Sequence, residues 1–146
     1  MGATNERRIE SHVVGPHVID LEFPDVVHVH YGGDVELAHF LGLDEAMRAL
    51  PQGPMPLYLL RDARNGGLVT AETRAHIARH DTQSRFIAIA TYGSSFQSKT
   101  VFSNMNRALK TVRPSDIAVE FFETEAEARA WLAHQKQLQT ANSPSP

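Results

Sequence analysis

The chain has no cysteine, no excess of basic residues, and no apolar run near the ~20 residues that a membrane-spanning helix needs. Each absence removes a class of function. Without cysteine there are no disulfides, no thiolate nucleophile and no Cys-type zinc site, a composition that suits a reducing compartment. Fourteen Lys and Arg stand against seventeen Asp and Glu, a formal net charge of −3. That balance argues against non-specific nucleic-acid binding, which depends on clustered cations neutralising phosphates. The opening residues MGATNERRIE lack the apolar core of a signal peptide. Glu6 also stands where a myristoylation pattern requires Ser or Thr. The expectation is a soluble, cytoplasmic protein without a membrane span.

What is present suits one globular domain. The 146 residues are 42% apolar and 21% charged, too apolar for disorder and long enough to bury roughly 70% of the unfolded surface. Residues 1–10 are polar, and KQLQTANSPSP (136–146) is rich in Pro and Ser. Both read as flexible tails around a single domain spanning 11–135.

Between the tails the hydrophobic period alternates between that of strands and that of helices. HVVGPHVIDLEF predicts a first strand with Gly15-Pro16 as a break or turn within it. VVHVHY predicts a half-buried strand, Val27, Val29 and Tyr31 inward and His28 and His30 outward. A helix is expected from Asp34, its N-cap, to Leu50, with Phe40, Leu43, Met47 and Leu50 on one face. PQGPMP ends it. LYLLR reads as a central strand, and Thr70 as the cap of a helix packed through Ala71, Ala75 and Ala78. RFIAIATY is a second buried strand, followed by a helix to about Val112 that Pro114 stops. IAVEFF is the last strand, and Thr124-Glu125-Ala126-Glu127 is a capping box opening a helix that buries Ala128, Trp131 and Leu132. The fold class is α/β: a small mixed, mostly parallel sheet flanked by helices, in the order β-β-α-β-α-β-α-β-α. The last three strands are expected to be parallel neighbours and the first two antiparallel.

This order resembles the STAS domain, the anti-sigma-factor-antagonist fold. Asp62-Ala63-Arg64, Thr70 to Arg74, and Phe121-Phe122-Glu123-Thr124-Glu125 running on to Ala128, Trp131 and Leu132 are similar to motifs of its SpoIIAA-like branch. The resemblance covers Pro56 to Gln135 and implies a bacterial regulatory module that works by binding a protein partner, with no catalysis and no cofactor. The phosphorylatable serine of the best-known branch is missing, because the corresponding loop reads Asp62-Ala63-Arg64-Asn65-Gly66-Gly67. Thr70 is the nearest hydroxyl, and capping accounts for it.

Three further patterns bear on chemistry. Gly93-Ser94-Ser95-Phe96-Gln97-Ser98-Lys99-Thr100 approaches the phosphate-loop pattern, but Ser98 replaces its second glycine. Helix capping by Ser94 or Ser95 is the simpler reading, and an anion site at Lys99 the weaker one. His28 with His30, and His76 with His80 on a stripe that includes Glu72, could each hold a metal if a further ligand came from elsewhere, but the stripe reads more simply as a solvated helix face, so no metal site is assigned. Neither a nucleophile elbow nor a supported carboxylate pair is present, so no catalytic residue is assigned.

Sites in parallel α/β sheets form beyond the carboxyl ends of the strands. The expected binding edge therefore comprises Asp62, Arg64, Asn65, Thr70, Tyr92, Ser94, Ser95 and Lys99. The leading expectation is a noncatalytic regulatory module binding a protein there. The alternative is a carrier of a small apolar ligand or lipid, with Phe40, Met47 or Phe96 facing a cavity; a phosphate-ligand or nucleotide-binding protein using 93–100 comes third. A homodimer is compatible with the sequence.

Overall fold

The computed structural model describes residues 8–51, 56–80, 86–94 and 117–141. Six strands form one mixed sheet in sequence order: β1 (Ile9–Val14), β2 (His17–Glu22), β3 (Val26–His30), β4 (Leu57–Asp62), β5 (Phe86–Tyr92) and β6 (Ala118–Phe122). The pairs β1–β2 and β2–β3 are antiparallel, and the pairs from β3 to β6 are parallel. Three helices are described: α1 (Leu37–Met47), α2 (Ala71–Arg79) and α3 (Glu125–Ala141). The helix expected up to Val112 lies outside the described residues.

Gly15-Pro16 does more than interrupt a strand. It is the two-residue turn of a hairpin whose closing pair is Val14 and His17. Gly15 has φ +59°, and a side chain there would run into the His39 ring of α1. A positive φ at the first central position is what short hairpin loops favour. The segment read as one strand is therefore two, and the sheet gains a strand at its antiparallel end.

Both faces of the sheet are covered. On one face Ile19, Leu21, Val27, Val29, Leu57, Leu59, Phe86 and Ile89 pack with Leu43 and Leu50. On the other, Tyr58, Leu60, Ala88, Ala90 and Tyr92 pack with Ala128 and Leu132 of α3. The alanines let the helix approach the strands closely, and Trp131 closes the edge of this layer against Phe122. The Thr124 capping box forms as expected: Thr124 Oγ1 accepts from the Glu127 N–H, and Glu127 Oε1 accepts from the Thr124 N–H.

Several local expectations are corrected. Helix α1 starts at Leu37 with Glu36 as its N-cap, because the Asp34 carboxylate is occupied by the Leu68 N–H at 2.8 Å. Helix α2 buries Thr73 and Ile77 and leaves Ala71 and Ala78 exposed. Its larger β-branched residue, and a threonine whose hydroxyl reaches the Val35 carbonyl at 3.1 Å, outcompete the alanine stripe. His28 is buried, since α3 covers the face on which it lies. Strand β1 begins at Ile9 and α3 continues to Ala141.

Candidate functional site

The parallel strands β3, β4 and β5 end at one edge, and three chain segments are tied together there. The Gly67 N–H donates to the Gly33 carbonyl at 2.9 Å, and Val35 bridges Val69. Together with the Asp34–Leu68 bond, these contacts dock the loop after β4 onto the loop after β3. Beneath them His17 is fully buried; its Nδ1 accepts from the Gly32 N–H at 3.1 Å and its Nε2 faces the Asp34 carbonyl at 3.1 Å. One acceptor and one donor nitrogen is the pattern of a neutral imidazole. Burial lowers the His17 pKa, against the opposing Asp34 carbonyl. On the other side the Ala63 N–H donates to the Tyr92 carbonyl at 2.9 Å, joining the ends of β4 and β5.

Asp62 is the centre of this edge. Its carboxylate takes Nε and Nη2 of Arg64 at 2.9 and 2.8 Å, the Arg64 backbone N–H at 3.1 Å, and His30 Nδ1 at 2.9 Å. Burial alone would raise the Asp62 pKa, but the bonds from Arg64 and His30 hold the carboxyl well below the usual carboxylate range. Arg64 is pinned by this fork while its side chain remains 60% exposed. Gly93, at φ +75°, makes the arrangement feasible: a Cβ there would collide with the stem of Arg64. The guanidinium then stands 5.5 Å from the Tyr92 ring centre.

A second, deeper network lies between the sheet and α3. Arg129 donates to both oxygens of Glu22, at 3.0 and 2.7 Å, and through Nε to Glu125 at 2.7 Å. His28 sits against it, with Nδ1 3.2 Å from Arg129 Nη2 and Nε2 2.8 Å from the Tyr92 hydroxyl, which donates to Glu125 at 3.4 Å. Hydrogen bonding from His28 and Arg129 brings the Glu22 pKa down to about 2. Burial, reinforced by the Asp62 and Glu125 charges, pushes the Tyr92 hydroxyl above its ordinary range. The two networks meet where the His28 and His30 rings lie 4.0 Å apart.

The chemistry this arrangement permits is recognition by a fixed cation. Ser11 Oγ donates to Asp20 Oδ1 at 2.6 Å, whereas His30 Nε2 faces Asp20 Oδ2 at 3.1 Å. Serine and histidine thus share a carboxylate without touching in the manner a nucleophile and its base require. Asp20 does supply the third group that His28 and His30 lack in the sequence, with one ligand atom from each within 4.8 Å of the others. The guanidinium of Arg129 beside His28 sets a permanent positive charge against a cation there. His76 and His80 stack at 4.1 Å, and the His80 ring turns back to the His76 carbonyl.

Of the expected binding residues, Asp62, Arg64 and Tyr92 converge. Asn65 is exposed on the same loop and Ser94 is half-buried just past Gly93. Thr70 serves as a cap, its hydroxyl 3.3 Å from the Thr73 N–H and 2.7 Å from the Thr73 hydroxyl. Ser95 and Lys99, with most of the 93–100 loop, lie outside the described residues, as does Phe96. Phe40 packs against Val35, Val69 and Ile77, and Met47 against the main core, so both are engaged in apolar packing. Glu22, Arg129, Asp20 and the role of His30 escape the sequence reading. Glu22 and Arg129 are 107 positions apart, and no local pattern pairs them.

The mixed sheet, antiparallel at β1–β3 and parallel from β3 to β6, defines an α/β domain. No family model matches the chain, and no curated protein matches it. Among solved structures it is similar to an uncharacterised protein of the DUF3478 family with a SpoIIAA-like fold from Shewanella loihica PV-4. The superposition has a TM-score of 0.56 at 16% identity and covers 90% of this chain and 99% of the other. The chain therefore has a SpoIIAA-like fold, as the resemblance in its second half implied. No helix among the described residues is long and apolar enough to cross a membrane.

Proposed function

We propose that the chain is a noncatalytic regulatory module of the bacterial cytoplasm that binds another protein through the carboxyl edge of its sheet. The observation that carries this reading is Arg64, held in one orientation by a bidentate bond to buried Asp62 while largely exposed. A guanidinium already fixed in place loses little conformational freedom on meeting a carboxylate or phosphate of a partner. Asn65 and Ser94 supply neutral hydrogen-bonding groups nearby, and the sequence places Lys99 in the segment that follows β5. The SpoIIAA-like fold supports a binding role at this level and no finer one.

The test is native mass spectrometry of the protein recovered gently from its host, as wild type and as Arg64→Ala and Lys99→Ala. The reading expects one protein at defined stoichiometry with the wild type and its depletion with the variants, at unchanged thermal unfolding. Equal recovery with all three would remove these loops from the interface. A small molecule released on denaturation, with no protein partner, would replace this reading by the carrier.

A further inference from the structure

Strand β1 is the edge of the sheet at its antiparallel end. The Phe23 N–H donates to the Arg8 carbonyl at 2.8 Å, which makes Arg8 and Phe23 a hydrogen-bonded pair of the β1–β2 ladder. Such pairs recur at every second residue. Glu10, His12 and Val14 therefore turn their backbone groups toward β2, and Ile9, Ser11 and Val13 turn theirs away from the sheet. These three also share one face. Ser11 reaches Asp20 on the face where α3 lies, while Val14 packs on the face of α1. Ile9 and Val13 are 58% and 76% exposed, the latter an unusual place for a valine on an edge strand.

We propose that β1 is a self-pairing edge, joining two copies of the chain through an antiparallel β1–β1 ladder centred on Ser11. The register is dictated by three independent features. Only odd-numbered residues offer outward backbone groups, so odd must pair with odd. Centring on Ser11 then places Ile9 opposite Val13 of the second copy, and the reverse, so that both exposed apolar side chains gain a cross-strand apolar neighbour. On the opposite face the same register sets Glu10 against His12 of the second copy. Within one chain the same two groups are already neighbours, His12 Nε2 lying 3.7 Å from Glu10, with Arg8 3.0 Å from the same carboxylate. A two-fold axis through Ser11 thus matches hydrogen bonds, apolar contacts and charge at once. The other centres that keep the backbone parity all lose the Glu10–His12 complement: Ile9 or Val13 sets that residue against itself, while Glu10 or His12 sets that side chain against its own copy and leaves Ile9 or Val13 opposite Ser11. The occupant of this edge is accordingly a second copy of this chain, and the inference stands apart from the binding role of Arg64.

The measurement is the mass of the full-length protein by light scattering and sedimentation across micromolar concentrations. The wild type is expected at twice the monomer mass. Ser11→Pro and Val13→Pro each remove an outward N–H that β2 does not use, and both are expected to shift the protein to monomer with the unfolding midpoint of the monomer retained. Glu10→Lys is expected to weaken the dimer on the order of tenfold or more, because an ammonium replaces the carboxylate that faces His12 of the second copy. Adding His12→Glu to it sets a carboxylate against that ammonium and is expected to recover the dimer, which guards against reading a folding defect as lost pairing. A monomeric wild type overturns the proposal, and so does a dimer that survives both proline variants.

Discussion

The carboxylate of Asp62 grips Arg64 through two parallel bonds of 2.9 and 2.8 Å, and a single residue, Ala63, separates them in the chain. So short a connection makes the guanidinium a fixture of the loop. Lysine carries the same charge but cannot make a forked contact. Arg64→Lys is therefore expected to weaken partner binding nearly as much as Arg64→Ala, by roughly tenfold or more. Circular dichroism and thermal unfolding are expected to be unchanged in both. A lysine variant that binds like wild type would reduce the role of Arg64 to bare charge.

The deeper ion pair should matter for stability instead. Glu22 is buried beneath Arg129 and titrates at about 2, below the ordinary 4.5. A folded-state pKa below the unfolded one means that the contribution is complete above about 4.5 and is lost as pH falls toward 2. Asp62 is depressed in the same sense. Glu22→Gln leaves Arg129 facing a neutral amide and is expected to cost about 3 kcal/mol at pH 7. Urea unfolding between pH 7 and pH 2.5 should show the variant's deficit shrinking as the wild type loses its own ion pair. A deficit that is constant with pH would show that packing, not charge, sets the effect.

How much of this was legible beforehand follows the range of the interactions. The Thr124 box and the Thr70 cap are local, formed by residues three apart, and both appear where the sequence places them. The parallel order of the last strands follows from alternation with helices. Alternation along VVHVHY separates two faces correctly, but it cannot say that α3, a hundred residues later, covers the histidine face. Asp34 satisfies every local rule for an N-cap and still goes to Leu68, because the β4 loop arrives with an N–H to satisfy. At the site itself the loops were identifiable from strand order, whereas the Glu22–Arg129 and Asp20–His30–Asp62 contacts depend on register between strands.

Gly93 permits a direct test of how Arg64 is held. Its φ of +75° is strained for any L side chain, and an added methyl would strike the stem of Arg64. Gly93→Ala is expected to destabilise the fold by about 1–3 kcal/mol and to displace the guanidinium from Asp62. Chemical denaturation gives the first quantity. The second is read from partner affinity in the variant at a temperature where it remains folded. Combined with Arg64→Ala, which removes the clash, the substitution should cost less than it does alone. Full additivity of the two changes would mean that backbone strain, and not the contact with Arg64, accounts for the glycine.

His17 makes the loop tie sensitive to mild acid. It is fully buried, accepts from Gly32 and faces a carbonyl of Asp34, and burial lowers its pKa from 6.5, with a smaller push in the same direction from His39. A histidine that is harder to protonate when folded than when unfolded stabilises the fold fully above pH 6.5. That contribution is lost as pH falls below 6.5 toward the lowered folded value. Protonation also turns Nδ1 into a donor facing the Gly32 N–H, so the bond it accepts becomes a repulsion. Unfolding free energy is therefore expected to drop between pH 7 and pH 5, ahead of the carboxylate transitions, and most of that drop should vanish in His17→Gln. Hydrogen exchange offers a site-resolved check, with the Gly32 amide losing protection over the same interval. A Gly32 amide equally protected at pH 7 and pH 5, in a protein whose stability does not change, would mean that His17 remains neutral throughout and that the loop tie is indifferent to acid.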